Sequence, residues 1–439
     1  MIFALQLVLS LSLLIILHEA GHFIPARLFK TRVEKFYLFF DPYFSLFKKK
    51  VGDTEYGIGW LPLGGYVKIS GMIDESMDKE QLAKPAEKWE FRAKPAWQRL
   101  IIMIGGVVVN IIIGIIIYTG IVWHIGEDIL PVRNAKYGVH IHPILKSYGL
   151  QDGDIILELD GHEPSNYHDI NKRLILDAPH SITVDRNGDK MSFTLPEDIG
   201  QVLIDSNVRS GAFSLRLPYV VDSLTPGFAA FSTGIMTGDS VTGVNNVASI
   251  YFQDIANEIR KHAGDSITLF VRRDGQDLAY RMLVNSEGLI GIYSQTPEKF
   301  LEYKHIDYGL LASIPAGISL AWETLTDYGS QLRFLFSKSG ASQVGGFVTF
   351  AKLFPPQWDW LIFWERTAFI SLILAFMNIL PIPALDGGHV MFLTWEMITG
   401  KAVHQKVLEI AQMVGMILLL GLLLYANGMD IVRLFTGNG

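Results

Sequence analysis

Histidine at positions 18 and 22, with glutamate between them at 19, is the arrangement in this chain best suited to chemistry. On a helix, residues four apart project from one face. Both imidazoles can therefore share a metal ion while Glu19 reaches a water beside it. A zinc ion held this way lowers the pKa of its water towards about 7, which makes hydroxide available for attack on a carbonyl with Glu19 as general base. The pentapeptide His18-Glu19-Ala20-Gly21-His22 also closes an almost uninterrupted apolar run, Ile2 to Leu17. Three ionisable groups within about one turn of an apolar helix are costly in hydrocarbon, and such groups are functional by default. The chemistry to expect is hydrolysis inside a membrane.

A cleaved signal peptide is the competing reading of the first 20 residues. No Lys or Arg precedes the apolar run, no small-x-small site follows it, and Arg27, Lys30, Arg32 and Lys35 come after it. By the positive-inside rule the N-terminus faces out and residue 30 faces the cytoplasm. The segment is expected to stay and span.

The chain has 439 residues, 49% of them hydrophobic and 18% charged, with a mean hydropathy of +0.28. That is too apolar for an all-soluble protein and too charged to lie wholly in a bilayer. A net charge of -7 with no basic tract excludes nucleic acid as a partner. With no cysteine, disulfides are excluded and any zinc site is limited to His and carboxylate ligands. Four stretches have the length and composition to span: Ile2 to Pro25, Leu100 to Trp123, Leu361 to Pro381 and Val407 to Tyr425. Interfacial tryptophans bound two of them, Trp123 at the end of the second and Trp358, Trp360 and Trp364 at the start of the third. Basic residues between Lys30 and Arg99, and at Lys401 and Lys406, belong inside. Both termini then face out.

Between the first two spans, Gly57 to Lys68 reads as short strands with tight glycine turns. Its apolar character suggests a β-hairpin dipping into the membrane against other protein. A cytoplasmic hairpin with an exposed Trp60 is the alternative. From about Gly126 to Thr296 the composition is soluble and an internal repeat is present. Gly149-Leu150, Gly153-Asp154 and Ser181-Ile182-Thr183 return 85 residues later as Gly234-Ile235, Gly238-Asp239 and Ser266-Ile267-Thr268. Arg186-Asn187-Gly188 returns 87 later as Arg273-Asp274-Gly275. The copies resemble PDZ domains, most clearly the second, in Pro226-Gly227-Phe228-Ala229-Ala230 and Gly238-Asp239-Ser240-Val241-Thr242-Gly243-Val244-Asn245-Asn246. Such domains bind an extended peptide at a sheet edge. Residues 304–357 include an uncharged run, Tyr308 to Trp322, that is short, contains Ser, Gly and Pro, and leads into Glu323 and Asp327; amphipathic or surface-lying helices on the outer face are expected there.

Catalytic zinc commonly takes three protein ligands and keeps one position open. The third ligand is sought in Asn378-Ile379-Leu380-Pro381-Ile382-Pro383-Ala384-Leu385-Asp386-Gly387-Gly388-His389, where prolines and glycines break a span. Broken helices at membrane depth survive where they line protein or a polar cavity. Asp386 is the candidate, with a helix cap as its other possible role. Depth favours the ligand. His18 and His22 lie near the inner end of an out-to-in span, and at 1.5 Å per residue a third span entering near Leu361 turns at the same depth after Asn378. A fifth span over Tyr308 to Trp322 would place Asp386 roughly 20 Å too far out.

With these motifs in order, the chain resembles the site-2 protease family of intramembrane zinc metalloproteases, in its RseP-like bacterial branch with tandem PDZ domains. The likeness covers essentially the whole length. It implies His18, His22 and Asp386 as zinc ligands, Glu19 as general base and then acid, and Asn378 as a donor to the substrate carbonyl or oxyanion. The family's Gly-Pro-x-x-Asn pattern appears as Gly106-Val107-Val108-Val109-Asn110, with Val107 in place of proline and Asn110 retained as a substrate-side hydrogen-bonding group.

The expected fold is a multi-pass α-helical membrane protein with four transmembrane helices, a membrane-associated β-hairpin and two β-rich PDZ domains. It divides into 1–125 (two spans, metal motif, hairpin), 126–206 and 207–298 (PDZ copies), 299–357 (surface helices) and 358–439 (two spans). The expected function is a zinc endopeptidase of the bacterial inner membrane that cuts transmembrane segments. Its partners by resemblance are single-span proteins such as a pre-cleaved anti-sigma factor, remnant signal peptides and the lipid bilayer. The hairpin residues Gly57, Ile58, Gly59, Trp60 and Tyr66 are expected to add a strand to an unwound substrate. A membrane PDZ scaffold without catalysis is one alternative. A membrane-anchored protease of soluble substrates is the other, and it requires the His-Glu motif to lie outside the apolar core.

Overall fold

The computed structural model describes residues 2–62, 64–72, 85–206, 208, 211–335 and 345–436. It forms two units, Met1–Gly126 with Asp307–Gly439, and Glu127–Ile306. Among the described residues of the first unit there are seven α-helices: α1 (Ile2–Leu28), α2 (Ala96–Ile125), α3 (Leu310–Leu335), α4 (Phe347–Ala351), α5 (Trp360–Ile379), α6 (Asp386–Thr399) and α7 (Gln405–Thr436). Four of them, α1, α2, α5 and α7, are long and apolar enough to cross a bilayer. Each coincides with a span expected from the sequence.

Lipid supplies no hydrophobic drive between such helices, so small residues and buried polar groups must join them. That is what α1 and α2 use. Their backbones touch at Gly21 and Gly105, where an added Cβ would lie 2.4 Å and 2.0 Å from the opposing carbonyl oxygen. Buried hydroxyls tie in α5: Thr367 donates to Ser10 on α1 (2.9 Å) and Ser371 donates to the Asn110 carbonyl on α2 (2.7 Å). Helix α7 is pinned at two levels. Asp430 accepts from the Val348 and Thr349 amides and the Thr349 hydroxyl of α4, and Gly415 packs directly on the Pro383 carbonyl.

The uncharged run of α3 proves to be part of a 26-residue helix packed on α2 and α5. Gly317 lies against Thr119, and Ala321 is buried with Tyr118, Ala368 and Leu372. Beside that face, Leu311, Ile314, Ile318 and Trp322 are exposed. An amphipathic helix was expected here, but its small-residue face belongs to the bundle. Residues 336–344 of that expectation lie outside the described residues.

Between α1 and α2 lies a four-stranded sheet of β1 (Val33–Leu38), β2 (Phe40–Val51), β3 (Thr54–Leu61) and β4 (Tyr66–Ile69), in the order β2-β3-β1-β4. This corrects the expected hairpin over Gly57 to Lys68. Strand β3 pairs antiparallel with β2, while β1 inserts between β3 and β4, parallel to β3 and antiparallel to β4. Gly57 and Ile58 are thus on an interior strand with both edges paired, and Gly59 pairs with Ser45 of β2. The glycines have packing reasons. A Cβ on Gly57 would enter the Tyr37 ring at 2.3 Å, and one on Gly59 would meet the Phe40 carbonyl at 2.1 Å.

The second unit contains two hydrophobic cores that follow the sequence repeat. The first gathers residues from Leu130 to Phe213, and the second residues from Tyr219 to Ile290. The repeat preserves a clamp as well as a pattern. Arg186 forks onto Asp154 (2.7 and 2.8 Å) and donates to the Gly149 carbonyl. Arg273 forks onto Asp239 (2.6 and 2.7 Å) and donates to the Gly234 carbonyl. Both aspartates are almost fully buried, so the fork compensates their desolvation. Phe300, Leu301 and Tyr303 return to the first core, and Lys304–Ile306 pairs antiparallel with Glu127–Ile129, bringing the two ends of the unit together.

Candidate metal centre

The pattern of His18 and His22 is realised on the C-terminal half of α1, where the chain is still helical and the last turn carries Arg27. Asp386 arrives from the opposite side. Pro381 and Pro383 cannot continue α5, so the chain leaves the helix after Ile379 and re-enters at Asp386. Gly387 and Gly388 let the first turn of α6 press on this loop, since a Cβ at either would lie 2.1 or 2.7 Å from a loop carbonyl. The Ala384 amide is held by Gln412 of α7 at 3.2 Å. Leu385 occupies the cap position of α6 without a side-chain bond, and the Asp386 carboxylate points at the imidazoles.

His18 Nε2 and His22 Nε2 are 3.3 Å apart, and each lies 3.4 Å from Asp386 Oδ2. Ligands at about 2.0–2.1 Å in a tetrahedron stand roughly 3.3–3.4 Å from one another, so the spacing fits one zinc ion. Asp386 Oδ2 is buried and makes no hydrogen bond, as a ligand oxygen should. Gly106 of α2 provides the room, because a Cβ there would be 2.5 Å from His22 Nε2 and 2.6 Å from His18 Cε1. A donor set of two imidazoles and one carboxylate suits catalytic zinc and leaves a position open.

A profile of peptidase family M50 matches residues 6–422. The chain belongs to this family. It is similar along 97% of its length to the regulator of sigma-E protease RseP of Escherichia coli (27% identity, 98% of that protein), to the regulator of sigma E protease of Haemophilus influenzae (26%, 98%) and to protease RseP of Yersinia pestis (26%, 98%). This M50 peptidase is therefore a zinc metalloprotease, and with its four apolar helices it is an intramembrane one.

His18, Glu19, His22 and Asp386 line one open cleft of about 640 Å³, and of the predicted substrate-contacting residues Tyr66 joins them. Asn378 lies beside the cleft, its Nδ2 3.4 Å from His18 Nε2. Asn110 is fully buried behind His18. Trp60 is engaged elsewhere, donating to the Pro42 carbonyl and stacked on Phe44. Strand β4 forms one wall of the cleft through Tyr66, Val67, Lys68 and Ile69. Tyr66 is stacked between Tyr37 and Phe40 and donates to Asp41 at 2.8 Å; burial and that carboxylate hold its phenol above the ordinary value, so it stays a donor.

His22 Nδ1 lies 2.8 Å from the Ile102 carbonyl oxygen, which can only accept, so the proton sits there and Nε2 is left free. Sequence reasoning missed Ile102 and Gln412, and named Gly106 only as part of a motif, without its role of making room for the imidazoles. A backbone carbonyl and a distant glutamine leave no local signature. The adjacent Gly105-Gly106 in an apolar span was a readable sign of close helix approach.

Proposed function

We propose that His18, His22 and Asp386 hold the zinc ion, and that the enzyme hydrolyses peptide bonds within or near transmembrane segments of single-span membrane proteins. The observation that carries this is the convergence of three ligand atoms, one of them an unpartnered buried carboxylate oxygen, between helices long and apolar enough to span. Zinc bound there would polarise the scissile carbonyl and supply hydroxide near neutral pH. Glu19, on the cleft wall beside both histidines, takes the proton of the attacking water and returns it to the leaving amine. Asn378 Nδ2 donates to the developing oxyanion, a contact worth roughly 3 kcal/mol in hydrolases. A membrane-anchored protease of soluble substrates would carry the motif outside the apolar helix. His18 and His22 lie inside it.

A helical substrate hides its carbonyls in backbone hydrogen bonds, so it must unwind before cleavage. The open edges of the sheet belong to β2 and β4; β4 lines the cleft along its whole length, Tyr66 to Ile69, whereas β2 reaches it only with its first residues, Phe40 to Pro42. Strand addition is accordingly assigned to Tyr66–Ile69 rather than to β3. The chain lacks cysteine, so a single Val67→Cys can be paired with single cysteines walked through the substrate, in a Glu19→Gln background that keeps the substrate intact. Disulfides should form at substrate positions two apart, the period of a strand. A three-to-four-residue period would reject strand addition at β4. Strand β2 supports the membrane association of the β2–β3 hairpin, with exposed Tyr43, Phe44, Leu46 and Phe47 for the bilayer and Lys48, Lys49 and Lys50 for its headgroups.

The names of the relatives connect them to sigma E. By that likeness the substrates include an anti-sigma-factor-like protein already shortened outside, and remnant signal peptides. Both termini and the second unit face the periplasm of a bacterial inner membrane. The two copies of the second unit are PDZ domains that exclude substrates with bulky ectodomains. In the second copy a groove lined by Phe252, Ile259, Leu289 and Tyr293 runs beside the Ile290–Gly291 backbone and has the form of a peptide site.

Because Glu127–Ile129 and Lys304–Ile306 are paired, paired Cα atoms lie only about 5 Å apart, and the intervening chain can be replaced by a short linker. The excised enzyme, reconstituted in lipid, should cut a truncated single-span substrate at near wild-type rate and also attack substrates with longer ectodomains. Chelation of zinc should stop both reactions. A folded, zinc-loaded, excised enzyme that fails on the truncated substrate would show that the second unit takes part in the chemistry.

A further inference from the structure

We infer that Asn110 is the positioning residue that fixes the tautomer of His18. In this arrangement its side-chain carbonyl accepts the proton of His18 Nδ1 and leaves the Nε2 lone pair for the metal. The inference rests on the zinc-ligand reading above and concerns how one ligand is held.

A neutral imidazole carries a single proton. His18 Nε2 faces His22 Nε2 and Asp386 Oδ2 at 3.3 and 3.4 Å. For Nε2 to act as a ligand, the proton must be on Nδ1 and must find an acceptor. His22 has that acceptor in the Ile102 carbonyl. Among the described residues, no carbonyl is hydrogen-bonded to His18 Nδ1 in the equivalent way. That Nδ1 faces the Asn110 amide, whose Nδ2 is placed nearest, at 3.2 Å.

The setting of that amide decides the tautomer. With Nδ2 towards the ring, the amide donates to a bare Nδ1, and the ring proton is forced onto Nε2, where it blocks coordination. Turned by half a turn about its last torsion, the amide occupies the same space and presents Oδ1 to an Nδ1–H. Oδ1 is a buried acceptor with no hydrogen-bond partner in the first setting. Asn110 is fully buried, so water is not at hand to take over. The surroundings also hold the residue in place. Its own carbonyl accepts from Ser371 of α5, and it sits one helical turn after Gly106, whose missing side chain admits both imidazoles. One turn of α2 makes room for the ligands and the next orients one of them.

The test measures zinc affinity of the full-length protein by chelator competition, for wild type, Asn110→Leu and Asn110→Asp. Leucine keeps the volume and removes the acceptor, so affinity should fall about 10–100-fold, the usual effect of losing a partner behind a metal-binding histidine. Aspartate keeps an acceptor in either setting and has no amide N–H, so it should bind zinc at least as tightly as wild type. Unchanged affinity in the leucine variant overturns the inference. So does an aspartate variant weakened tenfold or more, a result that decides the matter even if the leucine variant does not fold. If wild type itself binds no zinc, the ligand assignment falls first and this inference with it, an outcome distinguishable from the other two.

Discussion

Replacing Glu19 with Gln is expected to leave zinc bound and the fold unchanged while cleavage drops by about 10²–10⁴-fold. Glu19 lines the cleft next to both histidines but is not among the three residues whose ligand atoms converge. Glutamine has the same shape and still hydrogen-bonds, yet it cannot accept the proton of the attacking water at neutral pH. The metal and the substrate should therefore bind as before, so the loss should appear in kcat and not in zinc content or KM. A scaffold whose metal site serves only structure would show no such split. Zinc content, thermal unfolding and turnover of a single-span substrate, measured on the same preparation, separate the cases. Substantial turnover by the Gln variant would sink the mechanism and leave a water positioned by other groups as the remaining route.

Much of this site could be read from the sequence because its signals are local. His18 and His22 are four apart on a helix, the spans are defined by length and apolarity, and the broken segment around Pro381 and Pro383 announces itself. Depth along two spans then brings Asp386 to the histidines without any knowledge of packing. The sheet was misread because its order is non-local. Nothing within Gly57 to Lys68 reveals that Val33–Leu38 will insert between β3 and β4, or that Gly57 and Gly59 exist to admit the Tyr37 ring and the Phe40 backbone. The role of α3 was hidden for the same reason. Gly317 and Ala321 make a packing face only when Thr119 and Tyr118 are placed beside them. Asn110 is the instructive case. A motif assigned it to the substrate side, and only the fold shows that it stands behind His18.

Replacing Asp386 with Ala should abolish zinc binding and activity together. Two roles compete for this residue. An aspartate that only caps a helix would lose about 1 kcal/mol of stability on truncation and leave the metal untouched. The cap position of α6, however, is held by Leu385, and the Asp386 carboxylate instead stands 3.4 Å from both Nε2 atoms. Removing it leaves two imidazoles; the neighbouring Asn378 offers a donor nitrogen, and Glu19, though it lines the cleft, is not among the residues whose ligand atoms converge. A two-ligand site cannot compete with a chelator for zinc as a three-ligand site does. The stability change should also be informative, because α6 keeps its hydrophobic contacts and its Arg99–Glu396 ion pair to α2. The apo variant should therefore remain folded, with its unfolding temperature close to that of metal-stripped wild type and below that of the zinc-loaded enzyme by the linkage contribution of the metal. Stoichiometric zinc in purified Asp386→Ala would reject the ligand role. Loss of zinc with the fold retained, followed by no recovery on adding excess zinc, is the outcome the geometry requires.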